Sequence, residues 1–407
     1  MTLGMMATDV EQRIDFPAMR AYKLARVHKQ IEKQNLGALL LLDPDNIRYA
    51  TSTYMSEWAR DKYVRWAVIP RGGDPVCFEI GTVAEVKKIL CPWIKPNNFR
   101  ASTRWARGAY GLSATNVLCD RAVADIKAVL QENKVTDMPL GIDVVDMYLL
   151  EALHRSQLKV ANGWPAMWEA RLIKSPDELK VIELAASLAD GLYEELTNFI
   201  RPGIKESDIV AQVYKWFFEH GADRVTGAVC VSGPRAWTHP HDHTDRMLRP
   251  GELVYIDVVG HYLGYATCYY RTFAVTRATQ RMKDVYRRAF EWLQASIDAV
   301  GPRATTADIA SKWPSAKELG FENETQAAGL QIGHGVGLSN HEKPFISRLV
   351  SLNQPEPLQP GMHFALETFA SDGENGARIE SQLIVTENGH KVITKWPAEE
   401  LMICNPK

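Results

Sequence analysis

The spacing of apolar residues changes character about two fifths of the way along the chain. In the first part, "MRAYKLARVHKQIEKQNLG" carries helical spacing and closes at Gly37. It runs straight into "ALLLLD", a short apolar run suited to a buried strand. The stretch "NIRYATSTYMSEWARDKYVRWAVIPRGG" predicts a loop, a strand and a Gly-Gly turn. A further helical pattern in "RAVADIKAVLQENK" is followed by the strand-like "MPLGIDVV". Helix alternating with strand predicts an α/β N-terminal domain, taken here as residues 1–170.

The second part opens with a helix signal. Ser175 can cap, Pro176 fits the first helical position, and Glu178 completes a capping box. Ile182, Ala185, Ala189, Leu192 and Leu196 then trace one apolar face. "ESDIVAQVYKWFFEHGAD" predicts a second amphipathic helix closed by Gly221, and strands follow in "GAVCVSG" and "ELVYIDVVGHYLGYATCYYRTFAV". In the latter, two strands surround a short turn, with Asp257 and Cys268 near facing positions. A long helix in "RMKDVYRRAFEWLQASIDAV", a shorter one from Thr306, and strand and turn from Gly333 to Val392 complete the chain. Helices first and antiparallel strands later predict an α+β domain over residues 171–407.

Composition narrows the functional classes. A chain of 407 residues is too long for one ordinary core, which agrees with two domains. The net charge of -2 supplies no field for nucleic acid or an anionic membrane. The most apolar run, "LGALLLLD", is far shorter than the roughly 20 residues that span a bilayer. "MTLGMMATDVEQRIDFP" lacks the basic-then-apolar order of a secretory signal. Six scattered cysteines without a CxxC pair suit reduced thiols in a cytoplasm.

Candidate chemistry lies in the second half. "IGHGVGLSNHEKP" sets His334 between glycines, with His341 seven residues on. Flanking glycines would let that imidazole approach a metal or substrate closely. "QPGMHFALETF" and "GARIESQLIVTENG" put Glu367 and Glu380 on strands. With Asp257 these make one His and three carboxylates, a set suited to Zn, Mn, Fe or Co. Each residue also has a plain structural reading, as a solvated strand glutamate or a turn-anchoring aspartate.

Taken together, "DVVGHYLGYATCYYRTF", "GHGVGLSNHEKP", "PGMHFALET" and "ARIESQLIVTENG" resemble the pita-bread superfamily of creatinase, prolidase, aminopeptidase P and methionine aminopeptidase. "MRAYKLARVHKQIEKQNLGALLLLDPDNIRYAT" is similar to the start of its creatinase-type N-terminal domain. The resemblance implies metal ligands at Asp257, His334, Glu367 and Glu380, and a substrate-binding or proton-passing role for His341. It places the family's second, bridging aspartate at Cys268, and Ser381 where an aspartate commonly follows the last glutamate. Three outcomes stay open: one metal on the remaining ligands, Cys268 as a thiolate ligand, or no working metal with histidine chemistry alone. Cys268 as mere filler is a fourth reading.

The resemblance further implies a substrate-contacting histidine before the first ligand strand. His241 follows a proline and matches best, with His239 and His243 as alternatives. It also implies a homodimer in which an N-terminal loop covers the partner's site, making Trp58 and Arg60 candidates for substrate contact. Arg378 is a second candidate carboxylate clamp. The expectation is a cytoplasmic homodimeric hydrolase of a C–N bond in a small amino-acid-derived or amide substrate. Its cofactor would be one divalent metal ion (Zn, Mn or Fe) per subunit, or none, and no nucleic acid or membrane partner is expected. The alternatives are a metal-assisted lyase resembling dimethylsulfoniopropionate lyase of the same fold, or an Xaa-Pro dipeptidase or aminopeptidase.

Overall fold

The structure is a computed structural model that describes residues 13–60 and 64–406. The chain forms two compact units, one running to Arg171 and the other beginning at Leu172. The first unit holds six strands: β1 (Ala38–Leu41), β2 (Trp66–Pro70), β3 (Val76–Glu79), β4 (Phe99–Ala101), β5 (Leu140–Ile142) and β6 (Val160–Asn162). They make one mixed sheet in the order β4-β3-β2-β1-β5-β6. Central β1 is buried at every position, which explains its unbroken apolar run.

One element differs from the pattern read in the sequence. Residues expected to form a loop after β1 form a helix, Pro44–Thr51. Asp43 caps it, its Oδ1 accepting from the amides of Asp45 and Asn46 at 3.0 and 2.9 Å. Pro44 supplies the fixed φ of a first helical residue. The start signal was present, but only eight residues follow it, too few for a helical period to show.

The second unit contains β7 (Arg224–Ser232), β8 (Leu253–Tyr262), β9 (Tyr265–Val275), β10 (Ile332–Gly335), β11 (Glu342–Ile346), β12 (His363–Ser371), β13 (Gly376–Thr386), β14 (Gly389–Val392) and β15 (Met402–Cys404). One sheet runs β15-β9-β8-β7 and another β11-β10-β12-β13-β14. Each has a helix on one face. The helix Pro176–Phe199 lies on β8 and β9, where the Tyr193 hydroxyl donates to the Ile256 carbonyl at 2.9 Å. The helix Gln280–Asp298 covers β12 and β13, burying Val285, Ala289 and Leu293 with Leu366, Ile379 and Leu383. Because strand side chains alternate, the intervening positions of the same strands face the other way. Those positions carry the polar residues.

The expected capping box is present. Ser175 Oγ accepts from the Glu178 amide at 3.2 Å, and Glu178 Oε2 accepts from the Ser175 amide at 2.8 Å. Replacing Ser175 by Ala removes the acceptor of the Glu178 amide inside a buried helix start, while the residue-175 amide keeps its bond to Glu178 Oε2. The expected cost is about 1 kcal/mol, seen as a lower urea midpoint at unchanged slope. An unchanged midpoint would show that the box contributes nothing.

Candidate metal and catalytic site

The β8–β9 hairpin turns through Leu263 and Gly264, both at positive φ, as a two-residue turn requires. Asp257 pairs directly with Tyr270, and Cys268 with Val259. Asp257 and Cys268 are therefore diagonal neighbours on one face rather than opposite partners. The thiol points at Asp257 Oδ1 at 3.7 Å and at Glu380 Oε2 at 3.9 Å. The Tyr270 hydroxyl also donates to Asp257.

On the neighbouring sheet Glu367 and Glu380 are direct cross-strand partners. Like charges in that relation repel, and here both side chains are buried. Two features hold them there. Arg378, on the same face of β13, donates Nε to Glu367 Oε2 at 3.0 Å and adds a second contact through Nη2. His334 brings Nε2 to 3.7 Å from Glu367 Oε1 and 3.7 Å from Glu380 Oε1. Its Nδ1 faces the Gly335 carbonyl at 3.2 Å, which orients the ring. Cys268, His334 and Glu380 each offer a donor atom within 4.8 Å of the others.

The electrostatics are those of a site that attracts a cation. Burial, then Glu367, push the Asp257 carboxyl from 3.8 to about 7. Burial and the same crowd of carboxylates raise Glu380 well above the usual range. Burial raises the Cys268 thiol and lowers the His334 imidazolium. Among the described residues, Glu380 Oε1 has no hydrogen-bond partner although the side chain is fully buried. An orphaned carboxylate oxygen beside an imidazole nitrogen and a thiol fits a divalent metal.

The glycines around His334 serve packing instead of ligand approach. A Cβ on Gly333 would meet Leu366 at 2.6 Å, and one on Gly337 would meet the Glu342 carboxylate at 2.5 Å. On Gly335 it would run into the Lys343 carbonyl of β11. His341 lies at the rim of the site, its ring packed 4.2 Å from that of His334. Burial, then His334, lower its imidazolium to about 4, so it is neutral at physiological pH.

The inward-facing histidine of the preceding loop is His239, not His241. His241 and His243 are exposed, whereas His239 sits at φ 51° and turns its ring inward. That ring is 5.6 Å from Tyr255, 6.0 Å from Tyr270 and 5.2 Å from Phe369. Its Nε2 is buried with no partner among the described residues. Glu206, which the sequence reading missed, anchors this loop. It accepts from Ser232 N and Oγ at 2.7 Å and from Thr244 N and Oγ at 2.8 Å. A glutamate at a helix start carries no pattern that announces such a role.

Among the remaining candidates, Arg378 and Arg60 are engaged within the chain. Arg378 is buried and gives its guanidinium to Glu367 and to the Gly329 and Leu330 carbonyls, so it clamps an internal carboxylate. In the first unit, Arg60 donates to Asp45 at 2.7 Å and Trp58 is exposed, while residues 61–63 of that loop lie outside the described residues. A cavity of about 890 Å³ is walled by Trp237, Trp292, Trp313, Leu330 and Phe369, and none of Asp257, His334, Glu367 or Glu380 lines it. Phe369 joins it to the site, being two residues from Glu367 on the same face of β12.

The pH response of the metal-free chain follows. Native Asp257 keeps a proton that the unfolded chain releases, because its carboxyl is raised from 3.8 to about 7. The resulting stability is complete below the unfolded value and is lost as pH rises through about 7. A divalent cation relieves this repulsion, so adding one should raise the melting temperature far more at about pH 8 than at about pH 5. Equal shifts at both would rule out these carboxylates as the binding groups.

Comparison with known proteins agrees with this geometry. A model of metallopeptidase family M24 matches residues 180–387. An uncharacterized peptidase, YqhT of Bacillus subtilis, is 29% identical over 237 residues, 57% of this chain and 65% of that protein. The dimethylsulfoniopropionate lyase DddP of Roseovarius nubinhibens is 23% identical, over 96% of this chain and 88% of its own. The solved Xaa-Pro dipeptidase of Bacillus anthracis superposes with a TM-score of 0.74 at 22% identity, covering 94% of this chain and 99% of that one. That likeness establishes the two-domain pita-bread fold. With the matched segment containing all four ligand-type residues and Cys268, the chain belongs to metallopeptidase family M24, a family of metal-using hydrolases of C–N bonds.

Proposed function

We propose that this protein cleaves a C–N bond in a small amino-acid-derived or amide substrate, using a single divalent metal. The observation that carries the reading is the convergence of His334 on Glu367 and Glu380 at 3.7 Å, next to an aspartate whose bridging partner is replaced by Cys268. His334, Glu367 and Glu380 would hold the ion, with Asp257 and Cys268 beside them. When bound, it would polarise the scissile carbonyl and make a nucleophilic water available near neutral pH.

The chain's own groups divide the remaining work. Glu367 or Glu380 takes the proton of the attacking water, and Arg378 holds the Glu367 carboxylate in place. His341, neutral at the rim, receives that proton from the glutamate and passes it to the leaving nitrogen. His239 takes the part first assigned to His241, since its Nε2 is buried and unpartnered on the aromatic wall. The cavity of about 890 Å³ beside Phe369 is of the size that holds small ligands and receives the body of the substrate. The protein would work as a cytoplasmic homodimer, for which six buried, unpaired cysteines and the exposed Trp58 are the support.

A second reading has its own observation. The end-to-end similarity to a lyase, over 96% of this chain, favours proton abstraction and elimination at the same residues. A panel of proline dipeptides, cyclic amidines, creatine-like amides and sulfoniopropionates, followed by mass spectrometry, separates the two. Addition of water across the broken bond supports hydrolysis, and an unsaturated product supports the lyase.

With a turned-over substrate in hand, removing the metal by chelation should abolish activity and restoring it should recover the rate. His341→Ala should lower kcat by about 10²-fold or more with the fold intact. His239→Ala should lower kcat/KM strongly while His241→Ala leaves it near wild type; the reverse order would return the role to His241.

A further inference from the structure

The mechanism above leaves Cys268 without a task, and its position is too specific for filler. The side chain is 3% exposed and lies among Asp257, Glu380 and His334, whereas a packing thiol sits among apolar groups. The other five cysteines are buried too, but none of them joins a group of metal-ligand side chains among the described residues.

Three features converge on one point in space. Cys268 Sγ, a His334 ring nitrogen and a Glu380 oxygen lie within 4.8 Å of one another. Glu380 Oε1 is fully buried, has no hydrogen-bond partner among the described residues, and faces His334 Nε2 at 3.7 Å. Glu367 Oε1 stands at the same distance of 3.7 Å from that nitrogen, on the far side of Arg378's grip on Oε2. A sulfur, an imidazole nitrogen and a carboxylate oxygen give three donors within reach of one ion. Glu367, beside the imidazole, is the neighbouring carboxylate that can supply the fourth of a tetrahedral set. Asp257 touches this group through the thiol.

We propose that Cys268 is itself a metal ligand, bound as thiolate with His334, Glu380 and Glu367 in a mixed sulfur, nitrogen and oxygen centre that selects zinc-like ions over manganese. This rests on the reading that the chain holds a divalent cation on this face, and adds which atoms bind it and which metal they choose. On binding, the thiol gives up its proton to solvent as the sulfur–metal bond forms, with no change of oxidation state. Thiolate ligation favours softer, later ions, whereas an all-carboxylate bridge suits manganese and magnesium. The replacement of a carboxylate by sulfur thus changes metal choice and not only metal number.

The alternative role for the same atoms is a nucleophilic cysteine with His334 as base. It requires a thiol that substrate can reach and an imidazole free to accept its proton. Here the sulfur is nearly fully buried and the imidazole nitrogen is turned towards two carboxylates.

The test uses the full-length protein stripped of metal and titrated with Co²⁺, reading metal content and the near-ultraviolet thiolate-to-cobalt charge-transfer band. Wild type should bind one cobalt per chain and show the band. Cys268→Asp should bind cobalt without it, and its preference for zinc over manganese should fall about tenfold or more. X-ray absorption of the zinc-loaded wild type should show one sulfur neighbour at about 2.3 Å, a reading that depends on no variant folding. Cobalt bound without the band, zinc with only nitrogen and oxygen neighbours, or no metal bound at all would each overturn the proposal. Failure is separable from failure of the hydrolase reading. C–N cleavage by a metal enzyme lacking sulfur ligation sinks only the ligand claim, and a sulfur-ligated protein that cleaves no C–N bond sinks only the activity.

Discussion

Two glutamates facing each other across a buried strand pair are the constraint around which the second unit is arranged. Glu367 and Glu380 occupy paired positions on β12 and β13, where like charges repel and water is excluded. An all-apolar sheet of the same length would fold at lower cost. The repulsion is tolerable because Arg378 compensates Glu367 from the same face and a cation can compensate Glu380. Reading outwards from that pair, each neighbouring element has a function: β10 delivers His334, the β8–β9 hairpin delivers Asp257 and Cys268, and Arg378 secures one member of the pair.

The same arrangement explains why the two sheets are packed as they are. β8, β9, β12 and β13 use their second face for apolar contact with a helix, so the positions that carry charge on them cannot shift without moving the core. The polar constellation is therefore held by hydrophobic packing one residue away on either side. Around the loop of His239 the support is instead polar: Glu206 gathers backbone amides and hydroxyls from both ends of the segment. Rigid packing sets the metal side of the site, and a hydrogen-bonded anchor sets the substrate side.

Much of this was legible in the chain itself. The capping box at Ser175, the amphipathic helix after it and the alternation of "ARIESQLIV" follow from local patterns that tertiary contacts reinforce. The ligand types at Asp257, His334, Glu367 and Glu380 were visible as polar residues on strands, though only a family resemblance marked them as a set. What failed were properties fixed by three-dimensional neighbours. The glycines beside His334 looked like room for a ligand, but they admit β11 and β12. His239 and His241 are two residues apart with the same chemistry, and only a positive φ decides which ring turns inwards. Glu206 and Tyr270 had no periodic or compositional signal, because their roles depend on partners distant in sequence.

The two-residue turn at Leu263 and Gly264 has an evolutionary reading. Asp257 and Cys268 are separated by eleven positions, and side chains on a strand alternate faces with every residue. A single inserted residue between Asp257 and that turn would send the two side chains to opposite sides of the sheet, and a double insertion would restore the face but slide them two positions further apart. The hairpin therefore tolerates no length change between them. A point replacement, which leaves strand length and register untouched, is the change this hairpin accommodates most easily, because the new side chain keeps the old one's place between Asp257 and Glu380.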